Sequence, residues 1–339
     1  MSGEGGPGRL VTQMPPTSPT TAAATNAATG IWFGLGAYGL WGLVPLFWPL
    51  AEPASALEIL AHRIVWSLVC SIVLVLVGRR RGWLGSEGLS RLRSPRVVLL
   101  LVAAAILVCV NWGVYIWAVN SGHVVEAALG YYINPILSIL AGVVLLRERL
   151  RRPQWVAVGL AAVAVTVLTV GYGQPPWVAV ALATSFAGYG LIKNRLAMSA
   201  VTALAVESAA LTLPALGYLI WLGSHGSPAF GHHVRASIAL VAAGPVTVVP
   251  LLLFAGAATR IGLSMIGLLQ YVTPTCQFLL GVLWFGESMP ASRWIGFAIV
   301  WLALLLLGSD AAHQLRGRAS ARRSSVPVTA GEPVDRAAG

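Results

Sequence analysis

The feature that most constrains this chain is a succession of apolar runs, each about the length that crosses a bilayer as a helix, roughly 20 residues. They fall near 31–50, 59–78, 97–117, 124–146, 154–172, 175–192, 201–222, 236–257, 262–286 and 293–308. The connections between them are short, so little of the chain is left for any other structure. With 57% hydrophobic and 10% charged residues, the chain is too apolar and too poor in charge for a water-soluble domain. The spacing predicts an all-α integral membrane protein of ten transmembrane helices.

Charge placement gives an independent check on that count, because loops rich in Arg and Lys stay on the cytoplasmic side. Starting from a cytoplasmic N-terminus, alternation places Arg79, Arg80, Arg81, Arg91, Arg93 and Arg96 inside, then Arg147, Arg149, Arg151 and Arg152, then Lys193 and Arg195, then Arg260. Arg9, Arg316, Arg318, Arg322, Arg323 and Arg336 lie in the two tails, and only Arg63, Arg235 and Arg293 fall outward or within a helix. Both termini are therefore expected in the cytoplasm. The net charge of +11 reads as this topology signal and not as a nucleic-acid surface. The Arg-rich C-terminal tail is expected near anionic lipid.

An internal repeat divides the chain in two. Gly130–Leu168 superimposes without a gap on Leu269–Leu307, aligning Tyr132 with Tyr271, Pro135 with Pro274, Gly142 with Gly281, Glu148 with Glu287 and Trp155 with Trp294. Five helices per half is an odd number, so the second copy enters the membrane from the opposite side and the repeat is inverted. The expected organisation is a disordered tail over 1–30, a first five-helix repeat over 31–172, a second over 175–308, and a disordered Arg-rich tail over 309–339. Inverted halves have two near-equivalent packings with a solute site between them near the midplane, which implies alternating access and hence transport. No Gly-x-Ser-x-Gly, zinc-type His pair or Gly-rich phosphate loop points to an enzyme. No metal or cofactor site is expected, and Cys70, Cys109 and Cys276 read as packing residues within apolar runs.

Four stretches carry a further signal: Glu58–Ser67 (EILAHRIVWS, with His62, Arg63 and Trp66), Asn120–Ala127, Gly130–Pro135 and Gln270–Thr275. In order and spacing they resemble the RarD group of the EamA permeases, within the drug/metabolite transporter superfamily. The resemblance spans about residues 30–308. It implies ten helices, a multi-pass location in the inner membrane, a small-molecule substrate, and the group's traditional link to chloramphenicol sensitivity.

Charged and polar residues inside apolar runs are the candidate site, because hydrocarbon makes them costly. Arg63 on the second helix and Glu126 on the fourth lie at similar depth, where they either pair with each other or share an anionic or zwitterionic solute. Asn111 and Tyr115 on the third helix are spaced four apart. On the fourth, Tyr131 and Asn134 share a stripe with Tyr132 beside it, and on the ninth Gln270, Thr273 and Gln277 do the same beside Tyr271. These residues either line a cavity on the pseudo-symmetry axis or bond helix to helix. His62 and Glu207 are candidates for proton or ion coupling, with a structural hydrogen bond as the alternative for each. Pro135 and Pro274 hold matched positions that each remove a backbone hydrogen bond, suiting a hinge or a fixed bend. Trp48 reads chiefly as an interfacial anchor. Glu148 and Glu287 precede the fifth and tenth helices, where a carboxylate favours the positive helix N-terminus. The function this supports is a secondary transporter of a small organic solute, with a lipid-binding or assembly protein on the same fold as the alternative. Direction, energy coupling and oligomeric state carry no sequence signature.

Overall fold

The computed structural model describes residues 19–80, 94–146, 151–172, 175–196 and 200–324. Much of the Arg-rich segment before the third run, together with Arg147, Glu148 and Arg149, lies outside the described residues. Every regular element within them is helical: α1 (Pro19–Leu43), two short 3₁₀ turns (Val44–Leu46 and Trp48–Ala51), α2 (Ala56–Arg80), α3 (Pro95–Asn120), α4 (Val124–Leu146), α5 (Arg152–Tyr172) and α6 (Trp177–Leu196). They continue with α7 (Ala200–His225), α8 (Val234–Ala258), α9 (Leu263–Leu269), α10 (Val272–Leu279), a π turn (Leu280–Trp284) and α11 (Ala291–Ser324). Eight stretches are long and apolar enough to cross a membrane, and Val124–Leu137 and Trp177–Lys193 are shorter apolar stretches. Helix is the expected state for such runs, since in lipid each backbone N–H and C=O must be satisfied within the segment.

Small residues line many of the helix contacts, and large apolar side chains cover much of the exterior. Ala104, Ala105, Ala118, Ala127, Ala128, Ala157, Ala164, Ala179 and Ala183 are all but inaccessible, whereas Val170, Leu213, Ile220 and Leu283 are among the most exposed side chains. Lipid gives apolar side chains no reason to hide, so close packing is what holds such helices together, and small residues allow it. The sharpest approaches are at glycine. A Cβ on Gly130 of α4 would lie 2.9 Å from the Ala179 carbonyl oxygen of α6, and one on Gly244 of α8 would lie 2.6 Å from that of Trp66 on α2.

The most extensive helix packings each join an element before residue 172 to one after 175. α5 lies against α11, α4 and α3 against α6, α2 against both α7 and α8, α1 against α8 and α10, and α4 against α10. The first and second parts of the chain therefore interleave.

The ninth apolar run departs from expectation. It is broken: α9 closes at Gln270, α10 begins after Tyr271, and the π turn follows. Pro274 thus sits in the first turn of a new helix, where its missing N–H has no carbonyl partner to lose. Pro135 is different, lying inside α4.

Candidate functional site

Arg63 lies seven residues into α2, about 10 Å along the helix from its start. It is 7% exposed. Its Nε donates to Thr247 Oγ1 of α8 at 2.9 Å. The guanidinium carbon stands 3.9 Å from the ring centre of Trp112 on α3 and 5.3 Å from that of Trp48 in the second 3₁₀ turn. Tyr115, Tyr131 and Cys109 are the groups within its electrostatic reach. Four segments therefore converge on one cation, and the chain brings them there by short-range devices. Gly244 and Thr247 are one turn apart on α8, as Arg63 and Trp66 are on α2. The backbone contact at Gly244 draws α8 close enough for Thr247 to reach Arg63.

Around this centre the polar residues of α3, α4 and α10 form a continuous set. Asn111 Nδ2 donates to the Leu182 carbonyl at 3.0 Å and to Ser185 Oγ at 3.1 Å on α6, while its Oδ1 accepts from the Tyr131 hydroxyl at 3.3 Å. Tyr115 and Tyr131 meet edge to face, with ring centres 5.8 Å apart. Gln277 Nε2 donates to the Tyr115 hydroxyl at 2.9 Å and to the Trp41 carbonyl at 3.3 Å, and Thr273 Oγ1 donates to the Tyr38 carbonyl at 2.8 Å. Gln277 Oε1 and Asn134 Oδ1 are buried acceptors with no donor. An unmet acceptor at such depth costs on the order of 1–3 kcal/mol, so these atoms mark places where a polar guest is favoured.

Several residues that the sequence groups together are held apart. Glu126 does not pair with Arg63: its Oε1 accepts from the Val178 N–H at 2.9 Å, at the start of α6. The N-terminal amides of a helix lack partners of their own, and a carboxylate is their preferred acceptor. Glu287 acts in the same way on α4, accepting from the N–H groups of Val124 and Val125. Glu287 therefore caps α4 and not α11, the helix it precedes in sequence, which corrects the expected partner while keeping its chemistry. Burial raises the Glu287 carboxyl above the usual range, opposed by the Val125 and Val124 amides and by the nearby Arg293 and His123. Glu126, Glu287, His123, Gly122, Ser288 and Arg293 line a cavity of about 150 Å³ at this end of the bundle. Glu58, unremarked from sequence as an anchor, ties the loop before α8 to α2 by accepting from the Ala229 and Phe230 amides at 2.8 and 3.1 Å.

Glu207 is not a lone carboxylate. Lys193 of α6 meets it at 2.9 Å, and the Tyr189 hydroxyl donates to it at 3.2 Å. His62 packs its ring 4.6 Å from that of Phe230, away from these groups. Tyr132 shares a hydrogen bond with Thr275 Oγ1 at 2.8 Å, inside an aromatic cluster with Phe297 and Trp301. Tyr271 caps α10 and Gln270 closes α9, both partly buried. Trp48 is fully buried against Arg63, so at this position the interfacial expectation is corrected. Thr247 went unnoticed in the sequence, although a hydroxyl between Pro245 and Pro250 in an apolar run is a visible signal.

A bundle of apolar helices around a buried polar centre defines a multi-pass membrane protein, and comparison with known proteins narrows the class. The EamA-like transporter family matches residues 28–170. The protein RarD of Streptomyces exfoliatus is 52% identical over 313 residues, 92% of this chain and 98% of that protein. An uncharacterized transporter of Vibrio cholerae is 42% identical over 88% of this chain and 97% of its own length. The chloramphenicol-sensitive protein RarD of Pseudomonas aeruginosa is 30% identical, covering 86% of this chain and 97% of its own length. A solved crystal structure with 20% identity shares the fold, with a TM-score of 0.51 over 82% of this chain and 97% of the other. The chain belongs to the EamA-like transporters, as a permease of the RarD type located in the cell membrane.

Proposed function

We propose that this permease is a secondary transporter of a small organic solute, working by alternating access between two inverted five-helix halves, 31–172 and 175–308, with both tails cytoplasmic. The observation that carries the reading is Arg63: a buried cation on α2, flanked by α3, and hydrogen-bonded to α8 of the other half. A site that both halves build is one that their relative motion opens and closes.

The packing supports the inverted duplication. Shifting helix positions by half the chain turns α4 on α6 into α10 on α1, turns α3 on α6 into α8 on α1, and leaves α2 on α7, α5 on α11 and α4 on α10 unchanged in kind. Counting α9, α10 and the π turn as one crossing gives ten spans. The name of the Pseudomonas aeruginosa relative brings a link to chloramphenicol sensitivity into the proposal, with export of a small solute as one direction of transport.

The test is flux by purified protein in liposomes across a solute panel that includes chloramphenicol, with and without a pH gradient. Saturable flux of one or more solutes is expected. Absence of flux throughout would favour a lipid-binding or assembly role on the same fold.

A further inference from the structure

Resting on the transport reading, we propose that the solute is an organic monoanion whose carboxylate docks on the guanidinium of Arg63. Among the described residues no carboxylate pairs with Arg63, the two ion pairs being Arg151–Asp310 and Lys193–Glu207. The acids nearest in sequence expectation are occupied elsewhere: Glu126 on the α6 amides and Glu58 on the Ala229 and Phe230 amides. A zwitterion held between Arg63 and Glu126 is therefore disfavoured, because the anionic partner faces another way.

What surrounds Arg63 does not neutralise it. Indole faces attract a cation by about 2 kcal/mol when desolvated, whereas removing an ion from water costs several kcal/mol even after relaxation. Thr247 fixes only the Nε–H. The two Nη groups form the planar fork that matches a carboxylate, and none of the described side chains accepts from them. Trp112 and Trp48 pack 3.9 and 5.3 Å from the guanidinium carbon, so the group is confined before a ligand arrives. A single guanidinium balances one negative charge, which favours a carboxylate over a doubly charged phosphate.

The experiment uses full-length protein and paired probes: acetate, hexanoate and benzoate, each against its primary amide. Binding is read from tryptophan fluorescence in detergent, with Trp112→Phe identifying the responding ring, and counterflow is read in liposomes. At least one acid is expected to bind and to exchange, its amide at least about tenfold more weakly, as loss of a charge-assisted bond predicts. Arg63→Gln should abolish the discrimination between acid and amide, and Arg63→Lys should keep it in weakened form. If Arg63→Gln fails to accumulate, the acid-to-amide ratio of the unaltered protein decides the matter alone. Equal handling of acids and amides, or no response to any acid, overturns the proposal. Flux of neutral solutes in that case leaves the transport reading standing, whereas no flux of any solute removes both.

Discussion

Arg63 and Lys193 are both basic side chains on apolar helices, and the molecule treats them in opposite ways. Lys193 has a carboxylate partner at 2.9 Å and a tyrosine hydroxyl bound to the same carboxylate. Arg63 has two indole faces and one threonine hydroxyl. The Lys193 site is complete as it stands and fastens α6 to α7, whereas the Arg63 site is complete only with an anion from outside. Burial of a charge in a membrane protein is thus not a mark of function in itself. The marker is whether the protein supplies the counter-charge.

That contrast can be broken most forcefully at Arg63. Arg63→Gln is expected to lower flux by about tenfold or more, with membrane accumulation near that of the unaltered protein, because removing an uncompensated charge relieves desolvation while it disables the site. Glu207→Gln should act in the reverse sense. It leaves Lys193 without its partner, costs about 3 kcal/mol of stability, and lowers the melting temperature in detergent. Adding Lys193→Met to Glu207→Gln should recover most of that loss, as a double-mutant cycle would read.

Smaller effects sharpen the geometry. Gly244→Ala pushes α8 from the Trp66 backbone and is expected to cost about 1–3 kcal/mol. It should also weaken solute affinity, since Thr247 is carried away from Arg63. A thermal-shift measurement paired with fluorescence titration separates the two effects. Glu287→Gln keeps one of the two oxygens that accept from Val124 and Val125 and sets an NH2 donor against the other N–H. A decrease of about 1–2 kcal/mol is expected, with little change in binding.

The apolar runs made the helices legible, because length and composition alone decide that a segment crosses lipid. The repeat aligns Tyr132 and Pro135 with Tyr271 and Pro274, yet the two prolines sit differently, Pro135 inside α4 and Pro274 in the first turn of α10. Partners were harder to read. Arg63 lies seven residues into α2 but Glu126 only two into α4, so the expected common depth is corrected, and which faces meet depends on where Gly130 and Gly244 let backbones touch. The orphan amides of α6 compete for that carboxylate in a way depth does not reveal. The break at Gln270–Tyr271 was hidden because α9, α10 and the π turn are as continuous in hydropathy as an intact helix. Lys193 and Glu207 sit on successive helices, and the composition of neither run shows that these two faces meet.

The most direct measurement of the central claim is solute exchange by Arg63→Gln and by Lys193→Met/Glu207→Gln, reconstituted at equal protein density. The account predicts that the first loses exchange and the second retains most of it. Equal loss in both, or retention in Arg63→Gln, would contradict it.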